Sequence, residues 1–240
     1  MLLFYDTQIT AATQEFTFDR AESKHLTKVL RKEVGTEITL TDGKGLQWTG
    51  KLSLVSPQKV CAEKIEAKQH IPPKKRIHLV IAPTKSNDRM AWMVEKSTEL
   101  GISTITPLLC HHSERKVVKI ERFKKIAIAA LKQSQQFFLP EILPLTSFQE
   151  QLEVLQCPAL IAHCAPTSKK TVSEYALDSN EISLWIGPEG DFSSEEIQAA
   201  TKAGLTPVSL GTQRFPLQAG AGAGNFGRAD VLGIKQNLPL

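Results

Sequence analysis

The sequence of 240 residues predicts an α/β protein, with a β-rich N-terminal domain at residues 1–72 and a C-terminal α/β domain at residues 73–240. Short apolar runs, often alternating and broken by turn residues, fill residues 1–68 and predict a small β-barrel. From Ile77 onward, strand-like apolar runs alternate with segments of helical periodicity. This alternation favours a mostly parallel sheet with helices on both faces.

The N-terminal domain is predicted to contain one hairpin and one basic helix. Glu37–Leu40 and Leu46–Thr49 flank Asp42-Gly43, and this tight-turn chemistry predicts a β-hairpin over residues 37–50. The other elements expected here are strands at Phe16–Phe18, Lys51–Val55 and Lys59–Ile65 and a helix at Ala21–Lys32. Together these elements give a β-rich barrel with one helical insertion.

A polar stretch at residues 66–76, which contains Pro72-Pro73, predicts a linker and places the domain boundary near residue 72. The elements expected after it are strands at Ile77–Ala82, Thr104–Leu109, Ala159–His163, Ile182–Ile186 and Pro207–Leu210 and helices at Arg89–Leu100 and Ile120–Ser134. Asn87 or Asp88 is expected to cap the first of these helices, and Gly101 is expected to end it.

Composition limits the classes of function. The formal net charge of +4 permits an anionic partner without establishing one. No apolar run is long enough to span a bilayer, and the first residues lack a signal-peptide pattern, so a cytoplasmic protein is expected. The four cysteines show no CxxC spacing, which predicts neither a disulfide framework nor a zinc site.

The most informative stretch for function is Leu184–Phe192 with the residues just after it. A buried strand at Ile182–Ile186 is expected to end at Gly187-Pro188, and Ser193 and Glu196 have the spacing of a capping box. Ligands of α/β proteins bind beyond the carboxyl ends of strands, where glycines let the backbone approach them. The residues alone leave an ordinary strand–helix turn as an equal alternative.

Other motifs do not define a site. Gly222–Gly227 matches the dinucleotide pattern GxGxxG, but too few residues follow it to complete a βαβ unit. The adjacent His111 and His112 lack the spacing of a metal-ligand set and fit a loop at a strand end. His163 also ends a strand, without the nucleophile elbow that acyl transfer requires. Clusters of lysine and arginine on strand-end loops favour a phosphate backbone as the partner.

Several stretches in a fixed order resemble one family. Ile186–Gly190 with Phe192-Ser193, and then Val208–Gly211, are similar to the cofactor loops of SPOUT-class methyltransferases. Further matches narrow the resemblance to the bacterial 16S ribosomal RNA uridine-N3 methyltransferases. They are His25 with Val29–Arg31, Asp42-Gly43 with Gly45, Asp88–Met90, Lys96, Thr98–Gly101, Gln133-Ser134 and Pro140-Glu141. The match covers nearly the whole chain up to about Arg214.

The resemblance implies an N-terminal PUA-like RNA-binding β-barrel and a C-terminal SPOUT domain with a trefoil knot. It implies S-adenosyl-L-methionine as cofactor, ribosomal RNA or the small ribosomal subunit as partner, and a homodimer with its site at the subunit interface. The implied cofactor-binding residues are Leu184, Ile186, Gly187, Glu189, Gly190, Ser209, Leu210, Gly211, Arg214 and Phe215. The candidate RNA-binding residues are Lys24, His25, Arg31, Lys85, Arg89 and Arg115. Glu189 is left three roles: the ribose, the cationic end of the cofactor, or the loop itself.

The function implied is transfer of a methyl group from S-adenosylmethionine to N3 of a uridine in small-subunit ribosomal RNA. After the Ser-Leu-Gly loop the family carries Arg-x-Leu-Arg-x-Glu-Thr-Ala, whereas here Arg214 is followed by Phe215 and by an Ala-Gly repeat at 219–224. The second arginine, the glutamate and the threonine of the family segment have no matching residues. No catalytic residue is therefore assigned, and a stable final helix is not expected there. The alternatives are a catalytically impaired RNA-binding protein on the same scaffold, or a knotted methyltransferase acting on another RNA such as tRNA.

Overall fold

The structure is a computed structural model that describes residues 2–166, 169–172 and 179–210. The chain divides into two compact units. The first comprises Met1–Pro72 and Ile128–Leu139, and the second comprises Pro73–Ala127 and the described residues from Pro140 onward. The expected tail and knot involve residues outside the described ranges, and the domain boundary near residue 72 stays a prediction. No helix in the described ranges is both long and apolar enough to cross a membrane.

The first unit contains a five-stranded half-barrel sheet. Its strands are β1 (Leu3–Tyr5), β2 (Glu15–Thr17), β3 (Glu37–Thr41), β4 (Leu46–Val55) and β5 (Val60–Gln69), in the order β1-β3-β4-β5-β2. The antiparallel pairing of β3 with β4 confirms the predicted hairpin, and β1 runs parallel to β3.

Two strand predictions in this unit are wrong in their bounds. β4 is one strand rather than two, because register shifts after Thr49 and after Leu52 let the ladder to β5 continue across Gly50. β5 extends to Gln69 and so takes in the first residues of the predicted linker, since Leu46 at the start of β4 pairs with Gln69. Polar composition indicated a linker there because Glu66, Lys68 and Gln69 are exposed within the strand.

The predicted helix at Ala21–Lys32 is shorter and changes its hydrogen bonding partway. α1 (Arg20–Lys24) begins where the Asp19 side chain accepts a hydrogen bond from the Glu22 amide at 2.7 Å. A π-helical turn follows at His25–Val29, and Arg31 ends it with φ +49°. Leu26 from this turn is fully buried in the core of the unit, whose other members include Phe4, Phe18, Ile38, Leu40, Trp48 and Leu52.

A distant segment completes the first unit at the hairpin turn. Gly45 donates from its amide to the Phe137 carbonyl at 2.8 Å, and the Leu139 amide donates to the Gly43 carbonyl at 2.8 Å. Gly43 and Gly45 have φ of +74° and +98°. A Cβ at Gly45 would lie 2.6 Å from the Phe138 ring, so both the backbone conformation and the space require glycine.

The second unit contains a parallel sheet with helices between its strands. Its elements are β6 (Arg76–Ile81), α2 (Asn87–Glu99), β7 (Thr104–Leu109), α3 (Ile120–Ser134), β8 (Glu141–Ile142), β9 (Thr146–Ser147), α4 (Phe148–Glu153), β10 (Ala159–Ala162), β11 (Lys170–Thr171), β12 (Glu181–Ile186), α5 (Ser194–Lys202) and β13 (Thr206–Ser209). The strand order is β11-β13-β10-β12-β6-β7-β8, with β9 beside β7, and every pairing is parallel. The predicted mostly parallel sheet is confirmed, and the last residues of α3 belong to the first unit.

The first helix of this unit is capped by a different residue from those predicted. The Ser86 side chain accepts a hydrogen bond from the Arg89 amide at 3.4 Å, so α2 starts at Asn87 and neither Asn87 nor Asp88 caps it. Serine competes well for this position because its short hydroxyl reaches the free amides of the first turn. Gly101 ends the helix with φ +75°, as predicted.

The central strand β12 is buried, as its apolar sequence predicted. Trp185 is fully buried and packs edge-to-face on Phe148, with ring centroids 5.4 Å apart. Its indole N–H donates to the hydroxyl of the buried Ser183 at 3.0 Å. The small polar residue inside the apolar run is therefore explained, because it satisfies the donor of the tryptophan.

We expect Gly45→Ala to destabilise the first unit more than Gly35→Ala. Both positions have positive φ, which costs about 1 kcal/mol for alanine. At Gly35 the nearest atom to a Cβ is 3.7 Å away, whereas at Gly45 the Cβ would clash with Phe138. Urea unfolding of the full chain should give a loss of about 1 kcal/mol for Gly35→Ala and about 2–3 kcal/mol for Gly45→Ala. Equal losses would contradict close packing at Phe138.

Candidate active site

The carboxyl ends of three neighbouring strands form the candidate site. β10 lies between β12 and β13, and Ala162 is in register with Ile186 on one side and Val208 on the other. The next residues, His163, Gly187 and Ser209, therefore stand level with one another at one edge of the sheet. This edge is where parallel α/β sheets bind ligands.

The structure brings most of the predicted cofactor-binding residues to this edge. Leu184, Ile186, Gly187, Glu189 and Gly190 lie at the end of β12 and in its loop, and Ser209 and Leu210 lie at the end of β13. The side chains of Leu184 and Ile186 are buried, while Gly190 is exposed. The remaining three predicted residues, Gly211, Arg214 and Phe215, lie outside the described residues.

The loop at residues 187–191 closes as a tight turn around Asp191. The Asp191 amide donates to the Pro188 carbonyl at 2.9 Å, and Asp191 itself has φ +65°, which few residues other than glycine adopt. Aspartate and asparagine tolerate this region better than most side chains. Gly187 lies against the Phe192 ring, which a Cβ would approach to 3.0 Å.

Asp191 ties this loop to its neighbours with both of its carboxylate oxygens. Oδ2 accepts from the Cys164 amide, after β10, at 2.6 Å, and Oδ1 accepts from the Phe192 amide at 2.8 Å. The carbonyl oxygen of Asp191 lies 3.1 Å from Nδ1 of His112, in the turn after β7. Sequence reasoning missed this residue. The signal available was an aspartate that follows glycine in a turn, a position where its side chain commonly bonds to nearby amides.

Two glutamates make equivalent contacts to other strand-end loops. Glu189 Oε1 accepts from the Lys85 amide, after β6, at 3.1 Å. Glu196 Oε1 accepts from the His111 amide, after β7, at 2.8 Å, while its Oε2 accepts from the Ser193 amide at 2.8 Å. The reciprocal bond from the Glu196 amide to the Ser193 hydroxyl confirms the predicted capping box of α5. Of the three roles left to Glu189, the contact with Lys85 supports the one in the loop itself.

The basic residues near this edge have mixed surroundings. Arg115 donates to Asn87 Oδ1 at 2.6 Å and to the Lys85 carbonyl at 2.7 Å, so its guanidinium holds the loop after β6. Lys85 pairs with Glu114 at 3.1 Å, but both side chains are mostly exposed and such pairs contribute little stability. Arg89 is exposed at the start of α2.

The other three candidate RNA-binding residues lie in the first unit. Lys24 and His25 are exposed where α1 meets the π-helical turn, and Arg31 is exposed just after that turn. All three therefore present their side chains to solvent within a single short stretch of the chain.

His163 is the buried polar side chain at the centre of the edge, with 7% of its surface exposed. Its Nδ1 lies 3.3 Å from the amine of Lys169, which also donates to the His163 carbonyl. Its Nε2 has no hydrogen-bond partner among the residues that the structure describes. Burial, together with the charge of Lys169, lowers the pKa of His163 below its usual value, although Asp191 acts in the opposite direction. Sequence reasoning noted this histidine only as a strand end.

Family comparisons agree with this architecture. The family described as "RNA methyltransferase domain" matches residues 72–215, and the one described as "RNA methyltransferase PUA domain" matches residues 18–65. Among solved structures, a probable rRNA-methyltransferase from Porphyromonas gingivalis superposes with a TM-score of 0.85 at 30% identity, covering 98% of each chain.

Two further solved structures contain a ligand. A putative methyltransferase from Legionella pneumophila, in complex with the bound cofactor SAM, gives a TM-score of 0.82 at 26% identity and covers 98% of this chain and 96% of its own. The ribosomal RNA small subunit methyltransferase E from Neisseria gonorrhoeae, bound to S-adenosyl methionine, gives a TM-score of 0.77 at 29% identity. The match covers 89% of this chain and 90% of that structure.

Curated relatives lead to the same family. Ribosomal RNA small subunit methyltransferase E of Synechocystis is 30% identical over 212 residues, which are 85% of this chain and 68% of the relative. The Bacillus subtilis protein of the same name is 26% identical over 229 residues, which are 85% of this chain and 87% of the relative.

Fold, site and matches define an RNA methyltransferase with an N-terminal PUA-like domain. More specifically, the chain belongs to the ribosomal RNA small subunit methyltransferase E family.

We expect the Asp191 side chain to stabilise the loop through its two accepted hydrogen bonds. Asp191→Ala loses both bonds and keeps the unfavourable φ, so it should lower the free energy of unfolding by about 2–3 kcal/mol. Asp191→Gly relieves the backbone and should recover about 1 kcal/mol of that loss. Gln198→Ala, at an exposed position of α5, is the control and should change stability by less than about 0.5 kcal/mol in the same urea titration. An Asp191→Ala value equal to that control would contradict the assignment.

Proposed function

We propose that this protein transfers a methyl group from S-adenosylmethionine to N3 of a uridine in small-subunit ribosomal RNA. Membership of the family supports S-adenosylmethionine-dependent methylation of ribosomal RNA, and the uridine N3 specificity rests on the resemblance of the sequence. The observation that carries the proposal is the anchored carboxyl edge of β10, β12 and β13. It occurs in a chain whose fold matches, almost end to end, a structure solved with SAM.

The residues at this edge fit a nucleoside cofactor without phosphate. Gly187 and Gly190 leave backbone groups accessible to a ligand, and the backbone at Ser209 and Leu210 faces the same edge from β13. We propose that these backbone groups hydrogen-bond the adenine and ribose while apolar side chains pack on the ring. Leu184 and Ile186 support the loop from within the sheet, Gly211 and Arg214 complete the set by resemblance, and Phe215 is proposed to join them as the next residue of the chain.

The cofactor supplies an electrophilic methyl group bonded to sulfur. Transfer forms the bond from N3 to the methyl carbon, breaks the bond from sulfur to that carbon, and sends the N3 proton to a base. The protein contributes in-line positioning, which supplies much of the rate of such a displacement. N3 lies on the base-pairing edge of uracil, so the uridine must be unpaired or turned out of its helix.

Recognition of the RNA is assigned to five exposed basic residues and to the half-buried Arg115. The residues proposed to contact phosphates are Lys24, His25 and Arg31 of the first unit and Lys85, Arg89 and Arg115 of the second.

Family resemblance also supports a homodimer, which sedimentation equilibrium would detect as twice the chain mass of 26.5 kDa. The alternatives are an RNA-binding protein without turnover and an enzyme acting on another RNA such as tRNA.

A labelling experiment tests the reaction directly. Purified protein is incubated with methyl-labelled S-adenosylmethionine and, in separate arms, with assembled small subunits, free small-subunit RNA and tRNA that lack the modification. We expect labelled 3-methyluridine in a ribosomal arm after nuclease digestion and mass spectrometry. Label in tRNA alone would support an enzyme that acts on tRNA. Absence of transfer despite cofactor binding would support an RNA-binding protein without turnover. Label on another atom of the base would contradict N3 specificity.

We expect Lys24→Gln with Arg31→Gln to weaken RNA binding mainly by removing phosphate contacts. Each lost contact should reduce the slope of log affinity against log salt by about 0.7–0.9. Lys59→Gln, which removes an exposed lysine from the β4–β5 turn, is the matched control. The measurement is filter binding across a range of salt concentrations. Identical slopes for the double variant and the control would remove these two residues from the RNA surface.

A further inference from the structure

The backbone on both sides of His163 is fixed before any ligand arrives. Its carbonyl accepts a hydrogen bond from the Lys169 amine, and the next amide, that of Cys164, donates to Asp191. On the preceding side, Ala162 is held in the ladders to β12 and β13. The backbone of His163 therefore occupies a defined position between the two strand ends whose loops we assign to the cofactor.

The position of the ring proton follows from the contact with Lys169. A lysine ammonium donates hydrogen bonds and accepts none, so Nδ1 of His163, at 3.3 Å from Nζ, is the acceptor. The proton of the neutral ring then lies on Nε2. The lowered pKa agrees with a neutral ring, because burial and the lysine charge both disfavour the imidazolium and only Asp191 opposes them.

The Nε2–H group is thus a buried donor that has no acceptor in the described part of the chain. Most buried polar groups in native proteins are hydrogen-bonded, and an exception calls for an explanation. This exception lies level with Gly187 and Ser209, where the cofactor is proposed to bind. A ligand that brings an acceptor atom to this point would satisfy the group.

We propose that His163 contacts the cofactor directly, its Nε2–H donating a hydrogen bond to an acceptor atom of S-adenosylmethionine held between loops 187–190 and 209–210. The inference rests on the proposed function and adds a residue to the site. A donor of fixed direction selects an acceptor, and the cofactor offers its carboxylate, its ribose oxygens and its adenine nitrogens. The carboxylate makes the strongest such bond because it is charged.

His163→Phe tests the contact, because phenylalanine keeps a ring of similar size and removes the donor. Calorimetric titration should give a dissociation constant for S-adenosylmethionine raised roughly ten- to hundredfold. The melting temperature of the cofactor-free protein should change little, because removal of the unpaired buried donor offsets loss of the contact between Nδ1 and the Lys169 amine.

His78→Phe is the matched control. His78 lies in β6 of the same sheet, and its Nε2 already pairs with the Thr106 hydroxyl at 2.7 Å. Loss of that satisfied bond should lower the melting temperature and leave cofactor affinity unchanged. The two histidine variants are therefore expected to show opposite patterns.

Two further measurements locate the contact. In the wild-type protein with ¹⁵N-labelled histidine, the Nε2 resonance of His163 should shift when S-adenosylmethionine is added, which tests the contact even if His163→Phe does not fold. With 5′-methylthioadenosine, which lacks the amino-acid part, an unchanged affinity for His163→Phe places the contact at the carboxylate. A loss of affinity places it at the nucleoside, and both results support the proposal.

The proposal and the function fail in different ways. If the wild-type protein binds S-adenosylmethionine and His163→Phe binds it equally well, with an unmoved Nε2 resonance, the contact is refuted and the function stands. A structural role would lower the melting temperature of His163→Phe as much as that of His78→Phe. If the two variants then bind S-adenosylmethionine with the same affinity, His163 is structural and the proposal is wrong. A wild-type protein that binds no S-adenosylmethionine overturns the function itself.

Discussion

The candidate site depends on how a loop without regular structure is held at the edge of a parallel sheet. Glu189, Asp191 and Glu196 follow β12, and each accepts a hydrogen bond from a backbone amide of another strand-end loop. The three amides come after β6, β10 and β7. β12 pairs with β6 and β10, and β7 lies on the far side of β6, so these bonds join the carboxyl ends of four consecutive strands of the sheet. A hydrogen bond from an amide to a charged carboxylate is stronger than one between two neutral groups. These three hydrogen bonds therefore fix the loop before a ligand binds.

Packing beneath the loop supports the same geometry. Phe192 is buried in the core and contacts Phe148, with ring centroids 5.8 Å apart, and its ring fills the space next to Gly187. Gly190 approaches the His112 side chain, which a Cβ would meet at 3.1 Å. A side chain at either glycine would require the neighbouring residue to shift by a few tenths of an ångström. The short glycine-containing turn is therefore a consequence of close packing as well as a means of exposing backbone to a ligand.

The sequence predicted the parts of the structure that local physics determines. Apolar periodicity correctly gave β7 at Thr104–Leu109 and α3 at Ile120–Ser134, and the spacing of Ser193 and Glu196 correctly gave the capping box. Prediction from the sequence failed where tertiary contacts determine the bounds of an element. The cap of α2 went to Ser86, and β5 extended into polar residues because β4 offered a ladder for them.

The same distinction applies to the site. Glycine, proline and capping residues marked the loop after β12, but the partners of its acidic residues are remote in sequence and depend on strand order. The amides of Lys85, His111 and Cys164 meet Glu189, Glu196 and Asp191 only once the sheet has formed. His163 gave no local signal, since its importance comes from burial and from the orientation that Lys169 imposes on its ring. Likewise, only the folded chain shows that the segment ending at Leu139 pairs with the turn at Gly43.

Hydrogen exchange tests most directly whether this carboxyl edge is the cofactor site. Saturating S-adenosylmethionine is added to the full-length protein, and exchange is followed by mass spectrometry of peptides. Binding at this edge should slow exchange at residues 163–164, 187–191 and 209–210 and leave the hairpin at residues 37–50 unchanged as an internal reference. Protection confined to other parts of the chain, in a protein that demonstrably binds the cofactor, would contradict it.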